Sequence, residues 1–251
     1  MRRAALLLAA PLLIGASQPV LVPDVSQREI RIIYSFTGAE LLLFGAILYP
    51  GGRTPTGTID IAVVVKGPAE PVVVRQKEKV AGIWMNTEST RFLSAPAFYA
   101  VASSRPIRDI VDRRTAAIYE LGLDSLQLSP AAGQAPEAQR RFDDGFVDLR
   151  RRHGLYSERS EGVEMTEGVL YRARIDIPAR VPVGAYTAET FLIQDGKVIA
   201  GAIRDIDIDK QGFERFVAMA ADRWSAAYGA AAVALSLLMG WIAARAFRRR
   251  R

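Results

Sequence analysis

The sequence predicts a mainly β protein, an antiparallel β-sandwich with a helical insertion, followed by a C-terminal transmembrane helix. Apolar and polar residues alternate with period two in segments before residue 105 and after residue 160, as in strands with one buried face. Helical spacing replaces that alternation between about residues 105 and 153. The segment 224–244 contains no charged residue in 21 positions.

The first strands follow from alternation and from one apolar run. Segments 30–36 and 59–66 alternate, and 71–75 and 80–85 are shorter candidates. The run 41–49 is apolar throughout, which predicts a central strand buried on both faces, with Gly45 at a bulge or a close approach. Trp84 ends a short candidate strand; an exposed tryptophan there could bind a partner, but a position in the core is favoured.

The later strands have clear turn residues. Segment 169–177 alternates, and Asp195-Gly196 separates two further apolar runs, which is a strong hairpin signal because tight primed turns need positive φ. The stretch from Ile177-Pro178 to Val183-Gly184-Ala185-Tyr186 resembles the approach to a late strand in many immunoglobulin-like sandwiches. The fold class that we expect is therefore an immunoglobulin-like sandwich.

Two helical patterns form the predicted insertion. Pro106 suits a first helical turn, and apolar residues follow it at helical spacing as far as Gly122. The second pattern covers 136–152, with Phe142, Phe146 and Leu149 on one face and Gly154 as its stop. Because strands on both sides of the insertion are needed to close one sandwich, we expect a single β-domain over residues 18–210.

The two ends of the chain predict its topology. Residues 1–17 have the charged, apolar and small-residue parts of a signal peptide, with cleavage expected after Ser17; an uncleaved anchor is the alternative. A span over 224–244 is long enough for a bilayer, and the arginines of the tail 245–251 would remain in the cytoplasm. Segment 211–223 has the spacing of a juxtamembrane amphipathic helix. These features predict a single-pass type I protein of the bacterial inner membrane, mostly periplasmic.

Charge and cysteine content narrow the function classes. The net charge is +6 and seven arginines lie at the two ends, so the remainder has a net charge of −1 and lacks the basic footprint of a nucleic-acid-binding protein. The chain has no cysteine, which excludes thiol catalysis and thiolate metal sites and is compatible with a periplasmic domain held together by its core.

The sequence offers no convincing catalytic or cofactor site. His153 is the only histidine, and it follows an arginine run without a nucleophile motif around it, so we interpret it as a cation at a helix C-terminus rather than as part of a triad. We predict no catalytic residues, no cofactor and no enzyme activity.

One acidic motif could hold a metal ion. Asp205, Asp207 and Asp209 alternate along a strand, and their oxygen atoms would suit Ca²⁺. The spacing does not continue as a Ca²⁺-binding loop, and an exposed strand face explains the motif more simply. In that interpretation Arg172 and Arg174 would face the three aspartates across strands.

Small residues recur every four positions within segment 224–244, at Ala232, Ser236, Gly240 and Ala244. Small side chains at this spacing let a second helix approach closely. They are predicted to form a helix–helix contact, either between two copies or with another membrane protein.

The whole pattern resembles a family of alphaproteobacterial predicted transmembrane proteins of about 250–270 residues. The resemblance rests on three stretches, Phe36-Thr37-Gly38-Ala39-Glu40 with Leu43-Phe44-Gly45, Gly82-Ile83-Trp84-Met85-Asn86, and Val183-Gly184-Ala185-Tyr186. It implies a signal peptide, a single C-terminal span and no assigned catalytic residues. The resemblance also implies a place beside genes for sulfite-exporter-type permeases, and with it an accessory role in the export of anions or sulfur compounds.

Three functions remain open from the sequence. The first is a non-enzymatic accessory protein that binds an inner-membrane partner, with a transporter as one candidate. The second is a periplasmic module for a small ligand or Ca²⁺, and the third is a hydrolase built on carboxylates and hydroxyls. The first explains the small residues of segment 224–244 and the aromatic residues at its ends, so we favour it.

Overall fold

The computed structural model describes residues 19–32, 38–52, 57–131, 135–210 and 221–248. The strands are β1 (Val20–Val25), β2 (Glu29–Ile32), β3 (Gly38–Leu48), β4 (Ile59–Lys66), β5 (Ala69–Val80), β6 (Ile83–Pro96), β7 (Tyr99–Ser103), β8 (Ser129–Pro130), β9 (Tyr156–Ser160), β10 (Val163–Thr166), β11 (Leu170–Pro178), β12 (Gly184–Gln194) and β13 (Lys197–Lys210). The helices are α1 (Ile107–Ile110), α2 (Arg113–Ile118), α3 (Pro136–Arg152) and α4 (Ser225–Arg248), with 3-10 turns at Pro50–Gly52 and Leu123–Ser125.

The strands form three sheets. Sheet A has the order β1-β3-β11-β10, sheet B has the order β2-β13-β12-β4-β7-β9, and the small third sheet has the order β5-β6-β8. Sheets A and B face each other, with β11 against β4 and β7 and with β1 beside β13. The mainly β fold is thus confirmed, and the core lies between these two sheets.

Not every strand pair is antiparallel. Strand β2 pairs with β13 in parallel, and β7 pairs with β9 in parallel. A parallel pair needs a long crossover connection, and in the second case the helical insertion supplies it. The prediction of a purely antiparallel sandwich was wrong at these two places.

Strands β4 and β7 are buried on both faces, and β3 is not. All five residues from Ile61 to Val65 are fully buried. In β3, Leu41, Leu43 and Ile47 face the core, whereas Phe44 and Leu48 are exposed. The prediction for β3 was therefore wrong, and an apolar run here reflects one buried face and one exposed apolar face.

Gly45 lies at a close approach between strands, as predicted. A Cβ atom at this position would lie 2.5 Å from the carbonyl oxygen of Val22, 2.9 Å from Cα of Pro23 and 2.7 Å from the hydroxyl of Tyr171. The register on both sides of Gly45 is continuous, so the position is a close approach and not a bulge.

The helical segments between β7 and β9 cover the face of sheet B that points away from sheet A. The hydroxyl of Tyr99 on β7 donates to the backbone carbonyls of Glu120 and Gly122. The ring of Phe146 on α3 lies 5.8 Å from that of Tyr156 on β9. This cover explains why β4 and β7 have no exposed face.

Two turns confirm local predictions. Asp195 and Gly196 both have positive φ, 48° and 82°, in the β12–β13 turn. The buried hydroxyl of Tyr186 donates to the carbonyl of Pro182 at 2.7 Å, four residues earlier, which is the arrangement known as a tyrosine corner in immunoglobulin-like domains.

The predicted transmembrane helix over 224–244 is not supported. Helix α4 occupies most of this segment, but within the described residues no helix combines the length and the apolar character needed to cross a membrane. The prediction rested on the absence of charge. More than half of the segment is alanine, glycine or serine, and such side chains contribute little apolar transfer free energy.

The predicted signal peptide, residues 1–17, lies outside the described residues. So do most of the juxtamembrane segment 211–223 and residues 249–251 of the basic tail.

Candidate interaction surfaces

The three aspartates of β13 lie on the surface of sheet B. Asp205 and Asp207 are exposed, Asp209 is half-exposed, and Ile206 and Ile208 between them are buried in the core. Within the described residues, no group of three His, Cys, Asp or Glu side chains is placed to hold a metal ion. The motif therefore has the form of an alternating strand with one acidic face.

Arg172 and Arg174 do not face these aspartates. Both lie on β11 in sheet A, where Arg172 pairs with Glu164 and Arg174 approaches Glu40 at 3.7 Å. The expected contact with the acidic face was wrong because β11 and β13 belong to different sheets.

His153 is the C-cap residue of α3 and is exposed. It follows Arg150, Arg151 and Arg152 in the last turn of the helix. Cations at this position are favoured by the helix dipole, in agreement with the predicted position at the helix C-terminus.

Trp84 is exposed and not in the core. Strands β5 and β6 form a hairpin in which every residue from 77 to 89 is exposed, and Trp84 lies next to its turn. Ile83 and Trp84 are each 67% exposed and Met85 is 52% exposed. We call residues 72–90 the ribbon and residues 80–85 the ribbon tip.

The two faces of the ribbon tip differ. Lys79 is opposite Trp84 in the register, and Lys77 is opposite Asn86, so lysines and the indole share one face. Val80 is opposite Ile83 and Glu78 is opposite Met85, which makes the other face more apolar. The tip thus combines apolar side chains with two nearby ammonium groups.

Helix α3 supports the base of the ribbon. The ring of Phe92 on β6 stacks on Phe146 of α3, with their centroids 5.1 Å apart. Arg150 donates to Glu70 at 2.7 Å, and Arg141 pairs with Glu88 further along. Because an isolated two-stranded hairpin is marginal in water, these contacts stabilise the ribbon.

A second apolar surface lies on the outer side of sheet A. At one end of this sheet, outward-facing side chains of β1, β3 and β11 are apolar and exposed. We call these residues the apolar half-face: Val20, Val22, Phe44, Leu48 and Leu170. Next to them is a shallow depression of ≈ 540 Å³ that Phe44 and Leu170 line.

The other half of the same face is charged. Arg172 pairs with Glu164, and Arg159 from the edge of sheet B pairs with Asp176 at 2.5 Å. An apolar region rimmed by polar groups is typical of protein–protein interaction sites.

One cluster of charges joins the insertion to sheet B. The ammonium group of Lys66 on β4 lies 2.7 Å from Glu120 and 3.3 Å from Glu189 on β12. Burial by itself would lower the pKa of Lys66, but the two carboxylates outweigh it and raise this pKa above its usual value. The closeness of these charges indicates a structural role.

The buried Asp60 also has a structural role. Its carboxylate accepts hydrogen bonds from Ser104 at 2.7 Å and from Arg105 at 3.0 and 2.5 Å. A buried carboxylate with this many donors is satisfied without a ligand. Burial raises the pKa of Tyr99 well above its usual value, so its hydroxyl remains a donor.

The predicted small-residue positions lie on α4. Ala232, Ser236 and Gly240 are exposed, and the hydroxyl of Ser236 donates to the carbonyl of Ala232 at 2.9 Å. A Cβ atom at Gly240 would have no neighbour within 4 Å. The side chain of Ala244 lies outside the described part of the structure.

Sequence reasoning missed the apolar half-face, and at the ribbon tip it favoured a core position for Trp84 over an exposed one. The ribbon turn is Ala81-Gly82, and Ala-Gly is not among the strong hairpin signals. Alternation finds strands, but it does not tell which apolar face another sheet covers.

The fold and its surfaces define a β-sandwich protein with exposed apolar regions suited to contacts with other molecules. The chain belongs to the family described as "Putative transmembrane protein (Alph_Pro_TM)", whose sequence profile matches residues 20–249. The resemblance drawn from the sequence is thus confirmed, and membership of this family indicates association with a membrane. None of the curated proteins matches the chain.

Proposed function

We propose that the protein is a non-enzymatic accessory protein of the bacterial inner membrane, with its β-domain in the periplasm, and that it binds an integral membrane protein. The apolar half-face carries this proposal. A protein of this kind acts by contact, and the half-face offers a contiguous apolar area beside charged residues, which together supply affinity and orientation.

The chemistry of the half-face favours a protein partner. Phe44 and Leu170 line a depression that a partner side chain could fill. Phe44 itself would then be buried in the interface, and buried aromatic side chains dominate the binding energy of many interfaces. The ion pairs beside the depression form a polar rim around it. The class of partner that we propose is a polytopic membrane protein, with a transporter as one candidate.

Site-specific photo-crosslinking tests this proposal. A benzophenone side chain in place of Phe44 in the full-length protein should crosslink to one discrete membrane protein when native membranes are irradiated. The matched control is the same side chain in place of Ile203, which is also exposed and apolar but lies on sheet B. Equal crosslinking from both positions, or none from Phe44, would contradict the proposal.

A pair of variants gives a second readout. Phe44→Glu should abolish co-purification of the partner in mild detergent, since it removes the aromatic side chain and puts in its place a carboxylate that must lose its hydration in the interface. Ile203→Glu should not affect co-purification.

The small-residue positions of α4 offer a separate contact. We propose that Ala232, Ser236 and Gly240 pack against a helix of the partner or of a second copy. Gly240→Ile would then reduce co-purification by blocking close helix approach, whereas Ala234→Ile, which also enlarges a small exposed side chain but on the other side of α4, would not. Unchanged co-purification with Gly240→Ile would show that α4 does not make this contact.

The remaining two functions receive no further support. Asp205 and Asp207 alternate with buried isoleucines as an ordinary strand does, and no observation favours a hydrolase.

A further inference from the structure

We infer that the ribbon tip inserts into the headgroup region of an anionic phospholipid surface. The observation is the juxtaposition of Ile83, Trp84 and Met85, all exposed, with Lys77 and Lys79 at the end of a projecting hairpin. This contact is independent of the apolar half-face, because the ribbon belongs to the third sheet and the half-face to sheet A.

The shape of the ribbon suits a membrane surface. The exposed part begins at Lys77 and the turn follows at Ala81, which at about 3.4 Å per residue extends the tip roughly 15–20 Å from the last half-buried residues. The apolar residues are at the far end and not along the sides. A convex apolar tip of this kind can enter a lipid interface without a matching groove.

The residue types suit the interface between water and hydrocarbon. Tryptophan is enriched at the headgroup level, where its ring is partly apolar and its N–H remains hydrated. Lysine can keep its ammonium group among phosphates while its carbon chain lies along apolar surface. Trp84 and Lys79 are opposite each other on one ribbon face, so both can occupy that depth together.

The charges nearest the turn favour an anionic surface. On β5 the ammonium groups of Lys77 and Lys79 flank Glu78, whose carboxylate accepts a hydrogen bond from Gln76 at 2.8 Å. Glu88 on β6 pairs with Arg141 of α3. The net charge presented near the tip is therefore positive, and each lysine should strengthen binding to anionic lipid about fivefold.

The position of the ribbon in the fold is also suitable. Lys66, the last residue of β4, is opposite Thr187, which is opposite Asp205 near the end of β13. The ribbon begins at Ala69, so it starts at the end of sheet B where β13 ends and the chain continues toward α4. The base of the ribbon and the C-terminal end of β13 therefore lie at the same end of sheet B.

The absence of cysteine from the chain makes a single-label experiment possible. Full-length Met85→Cys, labelled with an environment-sensitive nitrobenzoxadiazole dye, is reconstituted with vesicles of phosphatidylcholine alone or mixed with phosphatidylglycerol. Lipids with a spin label at the headgroup serve as quenchers. The control is Ile203→Cys with the same label. We expect a blue shift and quenching at position 85 in the anionic vesicles and neither at position 203.

Charge variants test the mechanism. Lys77→Gln with Lys79→Gln should weaken the preference for anionic vesicles roughly 25-fold, and high salt should weaken it as well. Because both lysines are exposed, the melting temperature should not change. Lys197→Gln, at an exposed lysine on sheet B and away from the ribbon, should have no effect on the label at position 85.

Three results would overturn the inference. One concerns iodide, a fluorescence quencher that stays in water. If it quenches the label at position 85 equally in anionic vesicles and in detergent, the tip is not inserted. Another is energy transfer between labels on two copies without lipid quenching, which would mean that the tip binds a second copy. The third is protection of the label only in native membranes and not in pure lipid, which would mean that the tip binds a protein.

Discussion

Gly45 illustrates how one missing side chain controls the spacing of strands in sheet A. We predict that Gly45→Ala lowers the free energy of unfolding by about 2–3 kcal/mol, because overpacking against rigid neighbours costs that much. The neighbours at 2.5 and 2.9 Å are backbone atoms of Val22 and Pro23, which cannot move without shifting β1. Equilibrium denaturation in urea would measure the change.

The matched control is Gly201→Ala on β13. A Cβ atom there would be 3.5 Å from the ring of Phe191, an ordinary contact. Its effect should be below about 1 kcal/mol. Equal losses for the two substitutions would show that the close approach at Gly45 is not the cause.

The turn of the ribbon contains an unfavourable residue. Ala81 has a φ of 49°, and a non-glycine residue in this region costs about 1–2 kcal/mol. Ala81→Gly removes this cost. Because glycine loses more conformational entropy on folding, the net stabilisation of the ribbon should be only roughly 0.5 kcal/mol. Slower amide exchange at Val80 and Ile83, the pair that closes the two-residue turn, would show this. Gly196→Ala, at the second turn position of the other hairpin, should have the opposite effect on β12 and β13.

At the residue scale the sequence predicted turns and close approaches better than exposure. Gly45 and Asp195-Gly196 could be interpreted because each imposes a local backbone condition. Trp84 could not, because its exposure depends on whether another element covers the ribbon tip, and that depends on contacts distant in the sequence.

Helix α3 is the element that supports the ribbon. We predict that Phe146→Ala lowers the free energy of unfolding by about 3 kcal/mol or more, because the ring is buried between Phe92 and Tyr156. Thermal or urea denaturation would measure the loss, and ribbon amides should exchange faster.

Leu149→Ala on the same helix is the control. Leu149 was predicted on the same face as Phe142 and Phe146, but it is 46% exposed, so its truncation should cost less than about 1 kcal/mol. A loss as large as that of Phe146→Ala would contradict this account of α3.

At the element scale, α3 and most strands follow from periodicity, whereas the single helical pattern predicted from Pro106 to Gly122 is divided into α1 and α2. Periodicity does not predict that β4 is buried on both faces and that β3 is buried on only one. The sequence of β4 alternates, although both its faces are buried, because the polar residue Asp60 lies at its beginning and is satisfied by Ser104 and Arg105.

Across the whole molecule, Lys66 ties the insertion to two strands of sheet B. We predict that Lys66→Met lowers the free energy of unfolding at neutral pH by about 2 kcal/mol, because Glu120 and Glu189 lose their shared cation. Faster amide exchange around Glu120, together with chemical denaturation, would measure this.

The pH dependence gives a further check. The folded-state pKa of Lys66 is raised, so its contribution to stability is complete below about pH 10 and is lost only in alkali. The stability lost in Lys66→Met should therefore be the same at pH 6 and pH 8, and it should shrink only in alkali, where the unaltered protein loses the same charge. Lys197→Met, at an exposed lysine, should show no such change.

At the scale of the whole chain, the sequence predicted the mainly β class and the helical insertion. It did not predict the parallel pairs, since β2 and β13 are joined only by tertiary contacts. The C-terminal prediction failed because it relied on the absence of charge, and that is a weaker requirement than apolar character.

The pairing of β2 with β13 has a consequence for the order of folding. Strand β13 is the last strand of the β-domain, yet β2 and β12 both hydrogen-bond to it. Sheet B therefore cannot form completely until residue 210 has left the ribosome, and non-local pairing of this kind slows folding. During synthesis, β2 and one edge of β12 would therefore remain unpaired until β13 is available. A chain interrupted before Lys197 would lack the strand that joins its two ends, and it would be a substrate for chaperones and proteases rather than a smaller working domain.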